Sequence, residues 1–184
     1  MTDGPLSKSS KTSAGLLLYR LRDDRLEVFI AHMGGPFWAS KDEGGWSMVK
    51  GEYQDDEDPF TAACREFLEE TGSHPPPGRT LELGEIKQPS GKRIVAWAIE
   101  SDFNEASVRS NTFRLEWPRG SGQQREFPEI DRAGWFDTAT ARQKLVKGQM
   151  PFIEVLERQV LGVEQNQEHA EAWQADREGD PNAE

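Results

Sequence analysis

The chain has 184 residues, one cysteine, 35% hydrophobic residues and a net charge of −11. That length suits one domain with terminal extensions and a core of useful size. An acidic chain without a basic stripe is excluded from gripping duplex nucleic acid by its backbone. The lone cysteine excludes an internal disulfide framework and fits a reducing cytoplasm, and no apolar run reaches the length of a membrane span or reads as a signal peptide.

Residues 1–12, rich in Ser, Lys and Gly/Pro, predict a mobile arm. Ser13 to Leu21 and Leu26 to Met33 read as apolar strands around the turn residues Arg22-Asp23-Asp24, and so as a hairpin. Gly34 to Gly45 cannot be regular structure. It carries two glycine pairs, Phe37, Trp38 and Lys41, and loops of this length are usually functional. The two aromatic rings suit either stacking on a nucleobase or plugging the sheet edge.

Asp58 to Thr71 predicts a helix, with Asp58 as cap, Pro59 in the first turn and Gly72 as stop. At about 100° per residue, Glu66, Glu69 and Glu70 share one face with Ala62. Phe60, Cys64, Phe67 and Leu68 fall opposite. One face is then core, and Cys64 belongs to it rather than to any nucleophilic site. The other face carries carboxylates beside a small residue that leaves room for a ligand. Clustered like charges cost a helix stability. They are either a solvated acidic face or a site for a hard divalent cation such as Mg²⁺ or Mn²⁺.

Beyond the helix, Pro75 to Gly78 marks a rigid turn. Leu81 to Lys87 and Arg93 to Glu100 read as strands about a turn at Gln88 to Gly91, the second apolar enough to be central. Phe103 to Arg109 has no clear reading. Asn111 to Trp117 alternates as a strand before a loop at Pro118 to Gln124. Thr138 to Lys147 and Pro151 to Leu161 are amphipathic helices that should cover one sheet face. Residues 162–184 are acid-rich and predict a disordered or fraying tail. His32, His74 and His169 lack the spacing of a metal trio and read as structural or exposed.

Gly51, Glu57 and the run Arg65-Glu66-Phe67-Leu68-Glu69-Glu70-Thr71-Gly72 resemble the Nudix box, G-x5-E-x7-R-E-U-x-E-E-x-G-U. Ser73 departs from it, standing where the family prefers an apolar residue. Trp46 to Gly51 resembles the family's W-x-x-P-K-G approach to the box, with Val49 in place of proline. A glutamate six residues before a strand tryptophan recurs in the family as a loop carboxylate reaching the metal site. Glu129 stands so to Trp135, with Glu126 as fallback and a plain surface residue as the alternative.

The resemblance implies an α/β/α sandwich over residues 13–161, a mixed sheet between the box helix and the C-terminal helices. It implies a cytoplasmic Nudix pyrophosphohydrolase, monomer or homodimer, that takes a small nucleotide and needs Mg²⁺, with Mn²⁺ as substitute. Glu66, Glu69, Glu70 and the backbone carbonyl at Lys50-Gly51 would hold the ions. Arg65 would orient the carboxylates through Glu57, and Glu57, Glu70 or Glu129 would take the proton from water. Lys50 would face a phosphate, unless it is a free surface lysine, and Phe37, Trp38 and Lys41 would meet the rest of the substrate. The lysine in the approach favours a dinucleoside polyphosphate. Nucleoside triphosphate or ADP-ribose cleavage, or a module that binds nucleotide without cutting it, are the alternatives.

Overall fold

The computed structural model describes residues 12–88 and 91–162. Residues 89–90 lie outside them, as do the expected arm at 1–12 and tail at 162–184 except for Thr12, in a strand, and Gly162, in a helix. Four strands precede the first helix and five follow it before the second.

Strand β1 (Thr12–Arg22) turns through Asp23 and Asp24, both at positive φ, into β2 (Arg25–Met33). The two pair antiparallel only at the turn end, from Tyr19↔Val28 to Arg22↔Arg25. Beyond it they diverge. There β1 pairs with β4 (Val49–Glu52) and β2 with β3 (Trp46–Ser47), both antiparallel. The hairpin is therefore a fork, and the segment 46–52 fills it.

On its other edge β1 runs parallel to β6 (Arg93–Glu100), which pairs antiparallel with β5 (Thr80–Lys87). β6 is indeed interior to the sheet. Two further strands, β7 (Thr112–Glu116) and β8 (Gln124–Pro128), form a separate two-stranded sheet. β9 (Ile130–Asp137) then joins the free edge of β2. The predicted loop at Pro118 to Gln124 is thus the turn of a second hairpin. Its return strand, Gln-Arg-Glu-Phe-Pro, has too little alternation to announce itself.

Helix α1 (Pro59–Thr71) starts on Asp58, whose carboxylate accepts from the Thr61 amide, and stops at Gly72 in the left-handed region. Helix α2 (Thr138–Lys144) is capped in the same way by Asp137, and α3 spans 150–162. α2 ends before the expected Lys147, because Leu145 bridges to Trp46 and the Val146 amide donates to the Trp46 carbonyl.

The helices lie on opposite faces of the seven-stranded sheet, which is the expected α/β/α sandwich. The period-two alternation of β1 decides which side chain meets which layer. Leu17 and Tyr19 join Trp46, Phe152, Ile153 and Leu156 on the α2/α3 side. Ala14, Leu16 and Leu18 join Ala62, Ala63, Phe67 and Phe103 on the α1 side. Ala62 corrects one expectation. It opens no room for a ligand but is fully buried, and its small side chain lets α1 sit close on the sheet. Among the described residues no helix is long and apolar enough to cross a membrane.

Candidate active site

The fork between β1 and β2 opens into a cavity of about 80 Å³, lined by His32, Met33, Ser47, Lys50, Glu70 and Glu129, among others. They arrive from several elements, His32 and Met33 from β2 and Ser47 from β3. β4 supplies Lys50, the last turn of α1 supplies Glu70, and the loop before β9 supplies Glu129. The Gly34 amide donates to the Glu129 carbonyl (2.8 Å) and the Glu129 amide donates to the Asn111 carbonyl (2.8 Å). These two bonds hold the loop across the mouth of the fork.

Packing of α1 against β4 sets the Glu66 carboxylate directly over Gly51, so a side chain at 51 would displace it. A Cβ there would lie 1.7 Å from a carboxylate oxygen of Glu66. Arg65 organises the carboxylates around it. Its Nε and second terminal nitrogen donate to the two oxygens of Glu57 at 2.9 and 3.0 Å, and its other terminal nitrogen donates to Glu66 at 2.6 Å and Glu69 at 3.3 Å. Glu57 is consequently held below the usual carboxylate range, chiefly by its hydrogen bonds to Arg65.

Glu70 is pushed the other way, up to about 8, first by burial and then by the charges of Glu129 and Glu66; the Lys50 ammonium opposes the shift. Burial also lifts Glu66, against the pull of Arg65. Lys50 is held below the ordinary lysine range, mainly by burial, with Lys92 pushing in the same direction and Glu70 opposing. The site therefore holds more negative charge than its own cations satisfy.

Carboxylate and carbonyl oxygens suit a hard divalent cation, and their surplus negative charge is what such an ion would neutralise. The residues fit the group. Among the described residues, however, no three His, Cys, Asp or Glu side chains already stand at ion-holding spacing. Glu66 and Glu69 lean on Arg65 instead, and Glu69 is half exposed, away from the cavity.

Trp38 and Lys50 line an adjoining cavity of about 200 Å³, together with Gln88, Lys92 and Gln149. Lys41 is exposed, its ammonium 4.7 Å from the centre of the Trp38 ring. Phe37 is brought to neither cavity. It is 56% exposed and meets Trp117 of the second hairpin edge-on at 5.5 Å. Glu126 lies on β8, bonded to Thr112, and also lines neither cavity. Cys64 packs part-buried against the α1-side core, and burial raises its thiol, as a core cysteine should behave.

His32 takes the structural one of its two readings, whereas Lys92 and Gln88 were missed. His32 is fully buried, its Nδ1 2.5 Å from Asp131 and its Nε2 donating to the Lys41 carbonyl at 2.7 Å. It ties the 34–45 loop to β9. Lys92 and Gln88 flank a turn remote from the box, and no motif marks them.

Residues 11–156 match the NUDIX domain family, and the chain belongs to it. Its class is that of the Nudix pyrophosphohydrolases. Among proteins of curated function none matches. Three solved structures share the fold at low identity. The NUDIX domain of Shewanella oneidensis NrtR, complexed with ADP ribose, is 15% identical, with 83% of this chain and 90% of that one covered and a TM-score of 0.55. A C. elegans Ap4A hydrolase binary complex is 18% identical, with 83% and 98% covered and a TM-score of 0.53. A MutT protein from Methanosarcina mazei Go1 is 19% identical, with 84% and 97% covered and a TM-score of 0.52.

Proposed function

We propose that this chain hydrolyses a pyrophosphate bond in a nucleoside diphosphate linked to a second moiety, with a dinucleoside polyphosphate such as diadenosine tetraphosphate as preferred substrate. The observation that supports it is Glu70, pushed up to about 8 by burial and by the facing charge of Glu129, at a cavity that also holds Lys50. Glu66, Glu69, Glu70 and the Lys50-Gly51 carbonyl are the residues that would hold Mg²⁺ or Mn²⁺, Glu69 after leaving Arg65. A divalent cation held there would screen polyphosphate charge and make water more acidic.

The chain's own groups divide the remaining work. Arg65 holds Glu66 in place, and Glu57 holds Arg65. With both its oxygens engaged and its value depressed, Glu57 positions rather than accepts a proton. That leaves Glu70 and Glu129, both at the cavity, as the pair able to take the proton, Glu70 in its ionised form. The attacking water gives its proton to this pair as its oxygen bonds to phosphorus. The bridging P–O bond breaks, and its electron pair leaves on the departing phosphate. Lys50 sets a positive charge beside the transferred group, and the Trp38 ring offers a face to a base.

The ADP ribose bound to the Shewanella NUDIX domain makes ADP-ribose the second substrate to test, ahead of nucleoside triphosphates. The lone cysteine accords with a reducing compartment, where the enzyme would meet a small nucleotide. The test is hydrolysis of diadenosine tetraphosphate, ADP-ribose and nucleoside triphosphates with Mg²⁺ or Mn²⁺, with products separated by chromatography. Cleavage of diadenosine tetraphosphate well above the others is expected. Preference for another substrate overturns the substrate, and a blank panel overturns the hydrolase in favour of a binding module.

A further inference from the structure

The two adjoining cavities differ in sign. The first is lined by Glu70 and Glu129 and the second by no acid at all, although the protein carries a net charge of −11. The second presents two lysines, Lys50 and Lys92, and the cavities share Met33, Ser47 and Lys50. Of its other polar walls, Gln149 is already committed. The Gln149 amide accepts from the Met48 amide (2.9 Å) and donates to Ser47 Oγ (2.8 Å), and Gln88 packs over the backbone of Gly148.

Glu70, Glu66 and Glu52 act on the Lys50 charge from a distance rather than through a close pair. Among the described residues no carboxylate makes a close ion pair with Lys50. Lys92 pairs with Glu52 at 3.2 Å, but Glu52 is half exposed. Such a surface pair is worth little and gives way readily to a better anion. Lys92 stands near enough to Lys50 for the two charges to oppose each other. Two like charges sharing a cavity are a cost that a bound anion removes.

We infer that Lys92, with Lys50, forms an anion subsite for the distal phosphates of a polyphosphate chain, making the protein selective for phosphate-chain length. The inference rests on the hydrolase reading for its orientation. A diphosphate bridge satisfies the carboxylate cavity alone. Third and fourth phosphates, with no cation of their own, extend past Lys50 into the lysine cavity, where the Trp38 ring meets whatever the chain carries. Lys92 thus acts on binding and not on the reacting bond.

The experiment is calorimetric titration of the full-length protein with inorganic tripolyphosphate in excess Mg²⁺, for wild type, Lys92→Gln and Lys92→Arg. Loss of one charge-assisted contact weakens binding by about tenfold in Lys92→Gln, and Lys92→Arg stays near wild type. Melting temperatures of the three should agree, since a purely structural role for the Glu52 pair would move the melting temperature and leave binding alone. With nucleotide substrates, Lys92→Gln should raise KM for diadenosine tetraphosphate and leave KM for ADP-ribose and both kcat values near wild type. Equal tripolyphosphate affinity in wild type and Lys92→Gln, or no binding in either, overturns the subsite even where hydrolysis is robust. Lys92-dependent binding with no hydrolysis of any substrate retains the subsite and overturns the hydrolase.

Discussion

A single carboxyl group, that of Glu70, links the electrostatics of the site to the stability of the whole protein. Burial and its acidic neighbours raise it from an ordinary 4.5 to about 8, so the folded chain binds that proton more tightly than the unfolded chain. The sign follows by linkage. This contribution to stability is complete below the unfolded value and is lost as pH rises through the folded one. In chelator, wild type should therefore lose stability between about pH 4.5 and pH 8, by a few kcal/mol at about 1.4 kcal/mol per unit. Glu70→Gln, similar in volume and without charge, should abolish that slope, keep the fold and remove most turnover. Denaturant melts across pH check the first part; an unchanged slope in the variant would remove Glu70 as its source. The box glutamates and Arg65 were legible in the sequence because their spacing is set by one helix. That Glu69 points away from the cavity while Glu70 points in was not, since a 100° arc does not say which edge of it meets the sheet.

At the scale of elements, the cap at Asp58, the stop at Gly72 and the paired strands were all written in local residue types. The second hairpin was not, because β8 is half polar and its pairing depends on β7 rather than on burial. Nor was the tie made by His32, whose partners Asp131 and Lys41 are distant in sequence. One buried ring fastens both the 34–45 loop and the start of β9. His32→Ala should cost about 2–3 kcal/mol, as expected for a buried hydrogen-bonded group. The loop should then be cut by protease under conditions where the rest of the chain resists. Digestion followed by mass spectrometry locates the cut. A cleavage pattern identical to wild type would mean that the loop holds itself.

At the scale of the molecule, the sheet has two kinds of seam. The turn-linked pairing of β1 with β2 joins near neighbours, whereas β1 and β6 lie parallel and start from Thr12 opposite Arg93. Roughly eighty residues must be drawn into a loop before that seam can close, an entropic cost met before any contact repays it. The fork and α1 can form first, bringing Gly51 and Glu66 together, and β5–β6 would dock afterwards as a late-arriving unit. Stopped-flow kinetics should register the order. Ile94→Ala, in β6, should mainly speed unfolding, while Val28→Ala, in the hairpin, should mainly slow folding. Equal partitioning in the two variants would mean that both seams close together. If the order holds, the carboxylate half of the site is assembled in the transition state, and Lys92, carried on β5–β6, is delivered to it last.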